Sequence, residues 1–144
     1  MTKLKSYFIK WRALKSSEKQ LLLEILFFLG WSRLLIVLFH FRKVAAYLEK
    51  KEKKREKQNN SFDLQNLSQM MIKVSRHTFW KSNCLTQALA AKFMLNRRGI
   101  KSVVYFGVLR EGDEAFKAHA WVKCGEFVVT GEKGMERFHV IKTF

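Results

Sequence analysis

Cys84 and His119 are the residues of this chain whose types and settings could do covalent chemistry. Cys84 stands in Trp80-Lys81-Ser82-Asn83-Cys84-Leu85, where Ser82 or Asn83 would open a helix as its N-cap. A thiol in the first turn meets the positive end of the helix dipole, which favours a thiolate, the nucleophilic form. The free N–H groups of that turn are also donors for a developing oxyanion. His119 follows 119 − 84 = 35 residues later in Ala118-His119-Ala120-Trp121-Val122, the start of a predicted strand. Strand alternation puts His119, Trp121 and Lys123 on one face. If a sheet carrying that strand packs against the Cys84 helix, thiol and imidazole can meet, which is what nucleophilic acyl transfer requires. Taken singly, each residue would more often be structural: a lone helical cysteine is commonly a small core residue.

The remaining candidates carry less. Cys124 adjoins the turn at Gly125 and reads as structural, and His40, His77 and His139 have no recurrent context. Two cysteines and four histidines without ligand-pair spacing give no metal site, and thiol chemistry needs no cofactor. Two cysteines also make no disulfide framework. The polar start MTKLKSYFIKW lacks a cleavage site of small residues, so reduced thiols and a cytoplasmic location are expected.

The elements that must position this pair divide the chain in two. Residues 1–60 read as helix: Leu4, Phe8, Trp11 and Leu14 recur at near-helical spacing, and Ser16 or Ser17 precedes Glu18 and the apolar run 21–41. That run has the length of a membrane span, but Glu24 and Arg33 interrupt it, each costing roughly 2.5–3.5 kcal/mol near a span's centre. A buried or interfacial helical hairpin broken near Gly30 is expected instead. The charge run 49–58 (EKKEKKREKQ) reads as a solvated helix face. It lacks aromatic residues to stack bases, so nucleic acid is not an expected partner. Asn59-Asn60-Ser61 reads as a loop and helix cap, ahead of a helical stripe of Leu64, Leu67, Met70, Met71 and Val74. From Cys84 to Arg98 helical periodicity continues, with Gly99 as a C-terminal stop. Then come short runs rich in Val, Phe and Tyr at 102–109, 118–123, 127–130 and 139–141, two of them bounded by Glu111-Gly112-Asp113 and Cys124-Gly125-Glu126. These predict antiparallel strands, hence an α+β fold.

Composition agrees with a packed protein: 48 % of the 144 residues are apolar, with no proline and 7 glycines. The formal net charge of +16 favours acidic partners: a peptide, a nucleic acid or a membrane surface. Residues 1–60 hold 15 Lys/Arg against 5 Asp/Glu, and the rest 13 against 7. The division is therefore a basic, apolar helical region over 1–60, suited to docking a partner or a membrane surface, and a catalytic core over 61–144.

The stretch FWKSNCLTQALAAKFMLNRRGIKSVVYFGV, followed by AHAWVKCGEFVVTG, resembles the transglutaminase-like core of lasso-peptide leader peptidases. The resemblance is carried by Trp80, Cys84-Leu85, Ala88-Leu89, Arg97-Arg98-Gly99-Ile100 and Ala118 to Val122. It covers roughly residues 78–144, and more loosely the leucine-rich helices ending in Phe41-Arg42-Lys43-Val44-Ala45. It implies a papain/transglutaminase-like fold and a cysteine endopeptidase with Cys84 as nucleophile and His119 as general base. The scissile bond would join leader and core of a ribosomal precursor peptide. Trp80 and Trp121 would be substrate-binding residues. A separate leader-recognition protein and a macrolactam-forming cyclase would be partners, and peripheral membrane contact stays open. The family's third catalytic residue is an aspartate a dozen positions after the histidine, and here 119 + 12 = 131 is glycine. Glu132, another orienting group, or a dyad are the alternatives. Two rival functions remain: a thiol acyltransferase or transglutaminase, with an amine in place of water, and a non-enzymatic basic adaptor for membrane or nucleic acid.

Overall fold

The computed structural model describes residues 2–52, 61–113 and 116–144. Most of the charge run (53–58) and Asn59-Asn60 lie outside the described residues. The chain forms α1 (Thr2–Ala13), α2 (Ser16–Leu38), α3 (Phe41–Glu52), α4 (Leu64–Ser75) and α5 (Cys84–Arg97). Strands β1 (Val103–Leu109), β2 (Lys117–Cys124), β3 (Phe127–Thr130) and β4 (His139–Thr143) follow, with a 3-10 turn at Met135–Arg137 before β4. The fold is α+β, as the pattern of periodicities predicts.

All strand pairs are antiparallel, in the order β3-β2-β1-β4. α5 lies on the sheet against β1, β2 and β3; α4 covers β3; α2 packs across α5 and α4. α5 is buried nearly all round from Thr86 to Asn96, because sheet and α2 sandwich it. Ala88, Ala90 and Ala91 are fully buried and let these layers approach closely. One charged residue is fully buried there: the Lys92 ammonium donates to the Ser102 carbonyl.

α2 runs unbroken through Gly30, so the expected hairpin is a single helix. An interior glycine costs about 1 kcal/mol. Burying Ile25 and Leu29 completely and Leu21 almost completely is worth about 1.5–3 kcal/mol per residue, which outweighs that cost. The helix begins where expected: the Lys15 backbone N–H donates to the Glu18 carboxylate at 2.9 Å. Glu24, the charge that interrupts the apolar run, meets the Arg98 guanidinium at 2.7 and 2.5 Å. It fastens α2 to the end of α5.

Val44, Ala45 and Leu48 of α3 join Leu21, Ile25 and Leu29 of α2 in the same buried cluster as α5 and the sheet. α2 and α3 thus bury apolar residues against the elements that follow residue 61. The cap before α4 is Asp63, whose carboxylate accepts from the Asn66 N–H at 2.9 Å.

Candidate active site

Cys84 is the first residue of α5. The preceding segment is held by short polar bonds. The Thr78 hydroxyl lies 3.1 Å from both the Ser75 and Trp80 carbonyls and 2.7 Å from the Ser82 hydroxyl. The Asn83 side-chain oxygen accepts from the Thr86 N–H at 3.0 Å and the Thr86 hydroxyl at 2.9 Å, which makes Asn83 the N-cap. The Gln87 amide donates to the Ser82 carbonyl at 2.8 Å. Cys84 therefore enters the helix on a fixed backbone, as a free, half-buried thiol.

His119 sits near the start of β2, half-buried. Its Nε2 lies 2.7 Å from the Gly131 carbonyl oxygen. A carbonyl only accepts, so Nε2 carries the proton, and in the neutral ring Nδ1 carries the lone pair. The ring is packed by Trp121 (centroids 5.8 Å apart) and Phe138 (5.1 Å). Trp121 itself stacks on Tyr105, at 5.6 Å and 4° between planes.

Gly131 has φ +77°, in the left-handed region. A Cβ there would fall 2.4 Å from the Ala120 carbonyl oxygen and 2.8 Å from the Trp121 Cβ. A side chain cannot occupy this position without moving β2. The imidazole is held by main chain where the resemblance implied a carboxylate, and Glu132 is not its partner. Glu132 is exposed, and among the described residues its side chain makes no hydrogen bond or ion pair.

Trp121 is 4 % exposed, with one face against Tyr105, so it backs the imidazole and offers little surface to a substrate. Trp80 is half-buried, its six-membered ring 3.7 Å from where a Gly30 Cβ would lie. Its indole N–H is buried without an acceptor among the described residues. Sequence reading did not single out this orphan donor or the Gly131 carbonyl. The signal for the second was the glycine itself, at the position where the resemblance implied a carboxylate.

Topology brings Cys84 and His119 to one end of the sheet. β1 returns from α5 through residues 98–102, and β2 is antiparallel to β1, so β2 runs in the sense of α5. At the far end Cys124 feels the Lys92 ammonium. Lys92 lies 92 − 84 = 8 residues beyond Cys84, about 12 Å of helix, and Cys124 lies 124 − 119 = 5 residues beyond His119, about 16 Å of strand. The two faces of β2 differ, however. Ala120 and Val122 join the cluster around α5, whereas His119 and Trp121 share the other face with Tyr105, Gly107 and Phe138. Among the described residues no hydrogen bond joins the Cys84 thiol to the imidazole.

Burial pushes Cys124 up to about 11, against a smaller lowering by Lys92, so it stays protonated at neutral pH. At the edge of the His119 face, Glu111 binds Lys117 at 2.5 Å and also Arg137. Those cations hold its carboxyl below the usual range, Lys117 contributing most. This ties the β1–β2 connection to the 3-10 turn that delivers Phe138. Among the described residues, no three His, Cys, Asp or Glu side chains gather as a metal site would need.

A family model described as the transglutaminase-like superfamily matches residues 26–143. No curated protein and no solved structure matches the chain.

Proposed function

This chain belongs to the transglutaminase-like superfamily, and from that premise we propose that it is a cysteine endopeptidase that removes the leader of a ribosomal lasso-peptide precursor. The observation that carries the reading is the His119 Nε2–H···O=C Gly131 bond, which fixes the tautomer and leaves Nδ1 as the base. The chain holds a nucleophile type at a helix start, a base with a defined lone pair, and both at one end of a sheet.

In the proposed reaction Nδ1 takes the thiol proton and Cys84 Sγ bonds to the scissile carbonyl carbon. The resulting oxyanion draws on N–H groups of the first α5 turn and on the orphan indole N–H of Trp80. The imidazolium then protonates the departing amine, the C–N bond breaks, and water, deprotonated by Nδ1, releases the acyl group from sulfur. The reading requires the imidazole to reach the thiol around the end of the sheet in the substrate complex. Catalytic hydrogen bonds often tighten only there. The Gly131 carbonyl orients the ring as a triad carboxylate does, but as a dipole without a full charge.

The resemblance supports the leader–core junction as the scissile bond, and a separate leader-recognition protein and a cyclase as partners. Co-expression of precursor and enzyme, read by mass spectrometry, tests the whole proposal. Cleaved leader and core are expected with the native chain and neither with Cys84→Ala. An intact precursor with the native enzyme, with and without a recognition protein, overturns it. A product carrying a new amide to an added amine, in place of a free carboxylate, identifies the acyltransferase instead.

A further inference from the structure

We infer that the outer face of α2 is a docking surface for an anionic lipid bilayer, on which the protein lies without crossing it. Leu23, Phe27, Trp31, Leu34 and Leu38 are each between 44 % and 63 % exposed. Their spacing of four, four, three and four residues puts them on one helical stripe. From Leu23 to Leu38 it runs 38 − 23 = 15 residues, about 22 Å. The Phe27 and Trp31 rings stack at 6.4 Å, forming a flat aromatic patch at its middle. Isolated apolar residues on a surface need no explanation, but a continuous stripe of this length does.

Charge decides what covers it. Both acids of α2 are engaged: Glu18 caps the helix start, and Glu24 is paired with Arg98. The surrounding charged groups are cationic: Lys15 and Lys19 at the start, Arg33 along the helix, and Arg42 and Lys43 just past its end. An apolar stripe with an indole, bordered by lysine and arginine and by no unpaired acid among the described residues, is complementary to anionic headgroups over acyl chains.

The opposite face favours an in-plane orientation over a spanning one. Leu21, Ile25 and Leu29 are buried against the core and Glu24 is tied to Arg98, while the rest of the helix's most apolar window is largely uncovered, 22 % of it being buried. The helix is anchored to the protein by one side and bare on the other, which is the arrangement of an in-plane helix. The inference stands apart from the peptidase reading, since none of these residues belongs to the Cys84–His119 site.

The test is co-sedimentation of the full chain with vesicles of phosphatidylcholine containing about 30 % phosphatidylglycerol, with pure phosphatidylcholine as the comparison. Native protein is expected to pellet with the anionic vesicles at least about tenfold more tightly than with the neutral ones, and less as salt rises. Phe27→Glu/Trp31→Glu should abolish binding while the circular dichroism spectrum is kept. Bromine-labelled acyl chains should quench native tryptophan emission, and Trp31→Phe should remove most of that quenching. Absence of binding by the native chain overturns the inference. So does equal binding by a folded Phe27→Glu/Trp31→Glu variant, which would make the contact a matter of charge alone. If that variant does not fold, unchanged quenching in Trp31→Phe overturns it by itself. A native dimer dissociated by Phe27→Glu/Trp31→Glu, with no vesicle binding, would assign the stripe to a second copy and overturn it too.

Discussion

The two ends of the α5–β2 layer each carry a cysteine, in different settings. At one end Cys84 opens a helix, half-buried, and His119 presents a ring whose proton is placed by a glycine carbonyl. At the other, Cys124 is held up to about 11 by burial, beside a lysine whose ammonium is bound to the Ser102 carbonyl. A cysteine stands at both ends, and at the second a lysine ammonium acts on it. What differs is the setting: Cys84 opens a helix, whereas Cys124 sits at a strand end where burial keeps its proton on. Under the proposed function, position in the fold and not residue type selects the nucleophile.

The sharpest way to break this comparison is substitution at each end. Cys84→Ala and His119→Ala are each expected to reduce precursor cleavage by roughly three orders of magnitude or more, and the double variant by little further. Cys124→Ser should keep activity within about threefold, since a thiol in its protonated form contributes no nucleophile. Similar losses at both cysteines, in proteins that still fold, would dissolve the distinction. Alkylation with iodoacetamide near pH 7.5, read by peptide mass, should mark Cys84 well before Cys124. Cys124 should become reactive only as pH climbs toward about 11, where its thiolate forms.

Gly131→Ala probes what holds the base. The added Cβ meets Ala120 and Trp121 in a left-handed backbone, so about 1–3 kcal/mol of strain is expected beyond the clash. A lower melting temperature should accompany loss of the Nε2–H tautomer in the 15N spectrum of His119. Retention of that tautomer would remove the Gly131 carbonyl from its orienting role. Glu132→Gln, by contrast, should leave the spectrum unchanged, because the carboxylate is exposed and bonded to nothing described.

Two smaller effects refine the picture. Trp80→Phe keeps an aromatic ring near Gly30 and deletes a donor that has no partner, so stability should hold or rise slightly. A fall in kcat on the order of tenfold at unchanged stability would show the N–H serving the oxyanion. No change in kcat would make Trp80 a packing residue. Glu111→Gln should cost the least, because Lys117 and Arg137 are exposed partners in a solvated ion pair. The native bridge should weaken as pH falls through the lowered carboxyl range, and the glutamine variant should show no such component.

Much of the fold is legible in the sequence. The strand runs at 102–109, 118–123 and 127–130 fall within a residue of β1, β2 and β3, because alternation and turn glycines are local signals. The Asn83 cap and the stop at Gly99 were legible for the same reason. The break expected at Gly30 does not form: a glycine's cost is local and small, and the burial that overrides it comes from residues of α4 and α5 far along the chain. Composition sets residues 1–60 apart, and it cannot register that α2 and α3 bury apolar residues against α5 and the sheet.

By itself the sequence determined the types and local settings of the candidate groups: a cysteine at a helix start, a histidine at a strand start, and a glycine where the resemblance implied a carboxylate. The first two settings are fixed by neighbours within a few residues, so spacing discloses them; the third is visible only through the resemblance. Tertiary structure alone decided that the glycine's carbonyl, not Glu132, holds the imidazole. It also decided that Trp121 backs the ring and that His119 and the α5 cluster occupy opposite faces of β2. These depend on pleat, register and the close approach of β2 to the segment after β3, distances that no single stretch of chain encodes.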